Sequence, residues 1–256
     1  VQKLFKFNGS QIRYFRDPEK NERAGQFATD AMVESLDTAG IDKDEIDLLI
    51  YCGVGKGFLE PANAYFFASK LGMQCACFDV ADACMSWVRA LEIAYRFLQN
   101  GGYQKIMIIN AEFNTEKGLP NNFRVESLDQ LEYTFPTYTI GEAATATIVS
   151  ASDDRWSFHY TTRPELCDLC NIPLDGYETF VDPSNRIAKN GTNQFVAYGK
   201  EMFDSTEIHL TQLVKKHIAD LGEPDIYFPH AASDMAYQNA AKKIAGKGET
   251  DKLYNK

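Results

Sequence analysis

The chain has 256 residues, 45% hydrophobic and 24% charged, enough for one large α/β domain or two fused smaller ones with a sizeable core. Its formal net charge of −10, with no Lys/Arg cluster, argues against a nucleic-acid partner. No run approaches the roughly 18 apolar residues of a membrane helix, and the opening Val1-Gln2-Lys3-Leu4-Phe5-Lys6 lacks the basic-then-apolar shape of a signal peptide, so a cytoplasmic protein off the membrane is expected.

Six cysteines without an export signal read as reduced thiols. Two close pairs, Cys75 with Cys77 and Cys167 with Cys170, raise the question of zinc. A zinc site usually shows two C-x-x-C pairs flanked by turns, whereas Cys75 and Cys77 sit in a strand-like QCACFDV stretch. They are read as buried thiols, and no metal is expected.

In chain order, a helix is predicted over residues 24–39, with Phe27, Ala31, Met32 and Leu36 on one face and Gly40 ending it. Ile46–Tyr51 reads as a buried strand, 62–71 as a helix, 74–80 as a strand, 84–100 as a helix and 104–110 as a strand. The 84–100 helix places Val88, Leu91, Tyr95 and Leu98 along one stripe. Such alternation predicts an α/β fold with a mostly parallel sheet covered by helices on both faces. Residues 111–140 are a polar, aromatic excursion before a strand at Ala143–Ser150. A strand at Trp156–Thr161 is taken to open a second half. Irregular residues 163–198 follow, then a helix at 201–221, a strand at Asp225–Phe228 and a helix at 233–245.

An internal echo supports duplication. TAGIDKDEIDLLIYCG followed by AYFFASKLG is matched by IADLGEPDIYFPHA followed by AYQNAAKKIAG, so that Ala64-Tyr65 aligns with Ala236-Tyr237 and Lys70 with Lys242. Two halves, 1–150 and 151–256, are therefore expected. By this comparison the first half wants a strand before Val1, and the second wants a segment after Lys256.

Two residues stand out chemically. Cys84, in CFDVADACMSW, falls where a strand turns into an amphipathic helix; the free N–H groups and dipole of a helix N-terminus favour thiolate and can hold an oxyanion. A buried cysteine with no role is the competing reading, and the local pattern does not choose between them. His230, in IYFPHAAS, lies directly after a strand end, where sites gather in α/β sheets. His217 falls on an apolar stripe with Leu210, Val214 and Leu221 and reads as a packed histidine; His209 reads as helix surface, and His159 as part of a strand. A twofold relating the halves could bring Cys84 and His230 together. A papain-like protease reading fails for want of a Cys-Gly-Ser-Cys-Trp context around Cys84.

The segment CFDVADACMSWVRALEIAYRFLQNGGYQKIMIINAE resembles the nucleophile segment of ketoacyl-synthase III enzymes of the thiolase superfamily. The likeness extends to IDLLIYCG and to YFPHAAS, which is similar to the family's Pro-His-Gln-Ala-Asn segment. It implies a thiolase-like duplicated fold of two pseudo-symmetric halves. It makes Cys84 the acyl acceptor and His230 one of two groups assisting condensation with a malonyl-type thioester and loss of carbon dioxide. Coenzyme A or phosphopantetheine thioesters would be substrates, supplied by acyl-CoA or an acyl carrier protein, with no tightly bound cofactor; a homodimer is implied too.

The chain departs from that family in several places. A Gly-Asn-x-Ser segment carrying the family's second assisting group would fall beyond Lys256. Ser233 replaces an asparagine, Trp87 stands where Phe is usual, and Gly141-Glu142-Ala143-Ala144-Thr145-Ala146 replaces a Gly-Asp-Gly-Ala-Gly-Ala stretch. Arg13 lies in a degenerate arginine segment and is not assigned a cofactor contact. The expected activity is a 3-oxoacyl synthase III-like acyltransferase. Transfer to an oxygen or nitrogen nucleophile, a non-catalytic thiolase-fold partner subunit, and a Cys84/His230 hydrolase remain as alternatives.

Overall fold

The computed structural model describes residues 9, 11–113, 125–228, 230, 233, 238 and 239. Two compact units emerge, neither continuous in sequence. One comprises residues 14–115 and 141–158; the other comprises 1–13, 116–140 and 159–256.

The first unit is built on a sheet of β1 (Leu48–Cys52), β2 (Ala76–Val80), β3 (Lys105–Glu112) and β4 (Ala143–Ser150), in the order β2-β1-β3-β4. The first three strands run parallel, with Leu48 opposite both Ala76 and Ile106; β4 closes the sheet antiparallel to β3. Three helices cover it: α1 (Ala24–Ala39), α2 (Asn63–Leu71) and α3 (Ser86–Gln99). Alternating side chains of one strand go to opposite layers. Leu49, Tyr51, Met107 and Ile109 pack with Met32 and Leu36 of α1 and Ala64 and Ala68 of α2. Leu48, Ile50, Cys52, Ile106 and Ile108 pack with Ala90, Ala94 and Leu98 of α3. Both faces are thus buried, which is why β1 reads as an uninterrupted apolar run. Full burial of one such side chain contributes about 1.5–3 kcal/mol.

The helix faces differ from expectation by about one residue. Ala90 and Ala94, rather than Val88 and Tyr95, meet the sheet, while Tyr95 stacks on Trp156 at 5.6 Å. On α1, Ala28 joins Met32 and Leu36 in the core, and Phe27 turns outward to stack on Phe113 at 5.4 Å. Small residues at these positions let the helices approach strands already filled with Ile, Leu and Met, and the large side chains flank the contact. Gly40, at φ 65°, ends α1 by donating its N–H to the carbonyls of Leu36 and Asp37.

The predicted strand at Trp156–Thr161 forms no ladder. Its alternation arises because Trp156 and Phe158 both pack on Tyr95 of α3, a helix and not a neighbouring strand.

The second unit holds a two-residue antiparallel pair, β5 (Cys170–Asn171) with β6 (Val196–Ala197), the short helix α4 (Leu131–Thr134) and the long helix α5 (Gly199–Leu221). Its described core is small: Tyr133, Leu169, Val196 and Tyr198, with Leu166 and Met202 against it. Polar links do much of the tying: Arg186 reaches both Asp168 and Glu201, and Ser184 donates to Asp168 at 2.8 Å. No residue of α5 is fully buried. His217 is accordingly half-buried rather than packed in a core, with its ring edge-to-face against His159 at 5.2 Å. His209 lies 2.7 Å from an Arg163 nitrogen. In the expected strand Asp225–Phe228 only Tyr227 makes a bridge, since a strand needs a partner along its length. Most of the predicted 233–245 helix lies outside the described residues; within it 238 and 239 are helical.

Candidate active site

Cys84 sits four residues past the end of β2, in a single 3-10 turn, Ala83–Met85, that leads into α3. Ala83 holds a left-handed conformation, φ 45°, which an L-residue other than glycine adopts at a cost of about 1–2 kcal/mol. The turn is stapled by Ser86, 2% exposed, whose hydroxyl donates to the Ala83 carbonyl at 2.7 Å and accepts from the Asp82 N–H at 2.8 Å. Cys84 itself is exposed. The chain therefore spends buried polar bonds and backbone strain to present one thiol at the carboxyl end of a parallel sheet, the edge where sites gather in this class of fold.

The neighbouring strand ends are held by carboxylates. Asp79, within the Phe-Asp-Val of β2, accepts from the N–H groups of Asn63 and Ala64 at 2.8 and 3.1 Å and from the Asn63 side chain at 2.8 Å. It thereby caps α2 from an adjacent strand, because the methyl side chain of Ala62 at the cap position cannot accept a hydrogen bond. Glu112, the last residue of β3, accepts from Val54 N–H at 2.7 Å and Gly55 N–H at 2.8 Å, folding the loop after β1 across the sheet edge. Gly53, at φ 129°, and Gly55 have no room for a Cβ: the first would strike Glu112 and the second the Ala111 carbonyl. The hydroxyl of Tyr51 donates to the carbonyls of Gly55 and Ala111, and Asn110 donates to the Cys52 carbonyl at 2.7 Å.

These surroundings act on the thiol against the expectation from a helix N-terminus. Desolvation by the surrounding protein, with the Glu112 carboxylate adding to it, pushes the Cys84 pKa up. The 3-10 turn separates Cys84 from the first α-helical residue, Ser86, so the helix dipole does not dominate. Burial likewise raises Cys52 to about 11 and Cys77 to about 12, consistent with inert packed thiols.

Other sequence candidates fall as follows. Glu142, 8% exposed, is a brace: it accepts from the Arg16 N–H at 2.8 Å, and its own N–H donates to the Tyr14 carbonyl at 2.8 Å. Trp87, 42% exposed, donates to the Thr147 hydroxyl at 3.2 Å. Arg13 donates to the Ile140 carbonyl at 3.3 Å. His230 is exposed and belongs to the other unit, as does Ser233, which is partly buried. Asp79, Ser86 and Glu112 were not singled out by sequence. A charged residue inside an otherwise apolar strand, or at its carboxyl end, was the available signal for Asp79 and Glu112. Among the described residues no group of three or more metal-ligating side chains comes together, and no helix is long and apolar enough to cross a membrane.

Known proteins resemble this chain in sequence and in fold. The profile of 3-oxoacyl-[acyl-carrier-protein] synthase III matches residues 78–163, the stretch that carries Cys84 and β4. A beta-ketoacyl-[acyl-carrier-protein] synthase III of Vibrio parahaemolyticus is 25% identical over 242 residues, covering 91% of this chain and 70% of that protein. One from Aliarcobacter butzleri is 30% identical over 229 residues, covering 82% and 60%. A crystal structure of a 3-oxoacyl-(acyl-carrier-protein) synthase III superposes with a TM-score of 0.78 at 18% identity, over 99% of this chain and 76% of that one. Xanthomonas campestris OleA, a cysteine variant with bound lauric acid and lauroyl-CoA, gives 0.75 at 22% identity, over 99% and 74%.

The fold is thus shared with those structures: α/β with a mostly parallel sheet layered by helices. In sequence the chain is similar to the synthase III enzymes, most locally over the segment that carries Cys84.

Proposed function

We propose that the chain condenses acyl thioesters, with Cys84 as the acyl acceptor. The observation that carries this is the stapled, strained turn that exposes Cys84 at the carboxyl edge of the sheet, inside the stretch that matches the synthase profile. In the first half-reaction the thiol attacks a coenzyme A or carrier-protein thioester. A bond forms from Cys84 sulfur to the acyl carbon, the donor's carbon–sulfur bond breaks, and the donor leaves as a thiol carrying the Cys84 proton. In the second, a malonyl-type thioester loses carbon dioxide and its carbanion attacks the acyl carbon; the bond from that carbon to Cys84 sulfur breaks, and the released thiolate takes a proton from water. His230 is assigned to stabilise charge on that second thioester, where one well-placed donor contributes about 3 kcal/mol.

The thioesters are substrates, and the scheme uses no tightly bound cofactor, metal or nucleic acid. The outer edge of β2 has no partner strand among the described residues, which supports a homodimer paired along that edge. Six free cysteines support a reducing, cytoplasmic setting.

Intact-protein mass after incubation with acyl-coenzyme A thioesters tests the reading. An acyl increment is expected that disappears in Cys84→Ala. His230→Ala is expected to keep the increment and to lose condensation by a factor of about 100 or more. If neither coenzyme A nor carrier-protein donors leave an increment, the non-catalytic partner reading replaces this one.

A further inference from the structure

We propose that residues 159–163 form a pH-sensitive strap along α5, tied at one end by Arg163 to His209 and at the other by His159 to Asp220, and that acid releases the His209 end.

Printed contacts define both ties. At one end an Arg163 guanidinium nitrogen donates to the Ser205 carbonyl at 3.2 Å and lies 2.7 Å from His209 Nε2. At the other, the His159 ring meets His217 edge-to-face at 5.2 Å, and its Nε2 lies 3.8 Å from an Asp220 carboxylate oxygen. Residue 163 thus meets 205 and 209, while 159 meets 217 and 220, so the strap runs antiparallel to α5. The lengths agree: four extended residues span about 13 Å, and eight helical residues about 12 Å. No residue of α5 is fully buried, so the helix leans on polar ties of this kind.

An arginine has donors and no acceptor, so its contact with His209 is a hydrogen bond only while Nε2 is unprotonated and the ring proton sits on Nδ1. A proton taken up at Nε2 removes the acceptor. Glu165 is paired with Arg163 and its charge also bears on His209; the Arg163–Glu165 pair is neutral overall, so the lost bond decides the sign. A tie that needs the neutral ring binds fewer protons closed than open. It is therefore present above the range in which histidines titrate, about pH 5 to 8, and is lost as pH falls through it. At the other end a proton on His159 turns the Asp220 contact into an ion pair, so that end holds.

The remaining charged groups around the strap are engaged or turned away. Glu201 and Asp168 are held by Arg186, and Asp204 by Lys200. Glu207, two positions from His209, stands about 200° around the helix from it. Lys215 and Lys216 are exposed and lie about two turns from His209. On α4, Tyr133 packs on Tyr198, and the charge of Glu132 acts there as well.

The test is hydrogen exchange read by peptide mass at about pH 7.5 and about pH 5.5, corrected for the intrinsic pH dependence of amide exchange. In the parent chain, peptides over residues 199–213 are expected to lose about fivefold in protection at the lower pH, the effect of one hydrogen bond, while β1 keeps its protection. His209→Gln retains a neutral acceptor and is expected to abolish the pH dependence. His209→Lys carries a permanent charge and is expected to show the weaker protection at both pH values. Equal protection of 199–213 at the two pH values in the parent overturns the proposal. So does an undiminished drop in His209→Gln, which assigns the effect to another group, or an equal drop in β1, which makes it global.

Discussion

The sheet of β1–β4 and the region around α5 treat their apolar residues in opposite ways. In the first, Leu48, Leu49, Ile50, Ile106, Met107, Ile108 and Ile109 are each no more than 1% exposed. In the second, α5 runs 23 residues with none of them fully buried, and Ile208, Leu210 and Leu221 are 62%, 43% and 53% exposed. The sheet is held by close packing on both faces, whereas the α5 region leans on ion pairs and hydrogen bonds such as Arg186 to Glu201 at 2.7 Å. Half-exposed pairs of that kind contribute only about 0–1 kcal/mol each. Rigidity is therefore concentrated beneath the thiol. The strained turn at Ala83 and the clamp at Glu112 are affordable because the strands that carry them have nowhere to move.

Substitutions can break or sharpen this contrast. Ile108→Ala, at the centre of β3, should cost roughly 2–5 kcal/mol, measured by denaturant unfolding, because its neighbours in the layer under α3 are too tightly packed to fill the cavity. A cost under about 1 kcal/mol would mean that the sheet is no tighter than the rest. Asp79→Ala should cost about 1–3 kcal/mol by removing the acceptor for the first N–H groups of α2, with Asp79→Asn recovering part of it. Hydrogen exchange should localise that loss to residues 63–66, and uniform loosening instead would deny Asp79 its capping role. Leu210→Ala on α5 should stay within about 0.5 kcal/mol in the same unfolding measurement. A loss as large as that of Ile108→Ala would show that α5 is buried in solution by something the isolated chain does not supply.

The legibility of the fold followed the same contrast. Strands and helices from residue 24 to residue 150 were read within a few residues of their observed ends, because both faces of the sheet are buried and leave strong apolar runs. The 24–39 helix matches at both ends, Gly40 being the stop signal. Errors there concerned which side of a helix faces the sheet: hydrophobicity favoured Val88 and Tyr95, while steric closeness selected Ala90 and Ala94. Beyond residue 150 the same rules failed at Trp156–Thr161, where alternation reported packing on Tyr95 rather than strand pairing.

At the site, sequence alone picked out Cys84 as the residue at the strand-to-helix turn, since that depends on local pattern and on its resemblance to a known nucleophile segment. The tertiary structure decided the thiol's environment. Glu112 and Val54 are 58 residues apart, and Asp79 and Asn63 are 16 apart; no periodicity links such pairs. They meet because parallel strands bring distant carboxyl ends to one edge, and the local field there comes from side chains that arrive by separate routes. The helix-end argument alone predicted a thiolate, whereas burial together with a carboxylate from the neighbouring strand reversed its sign.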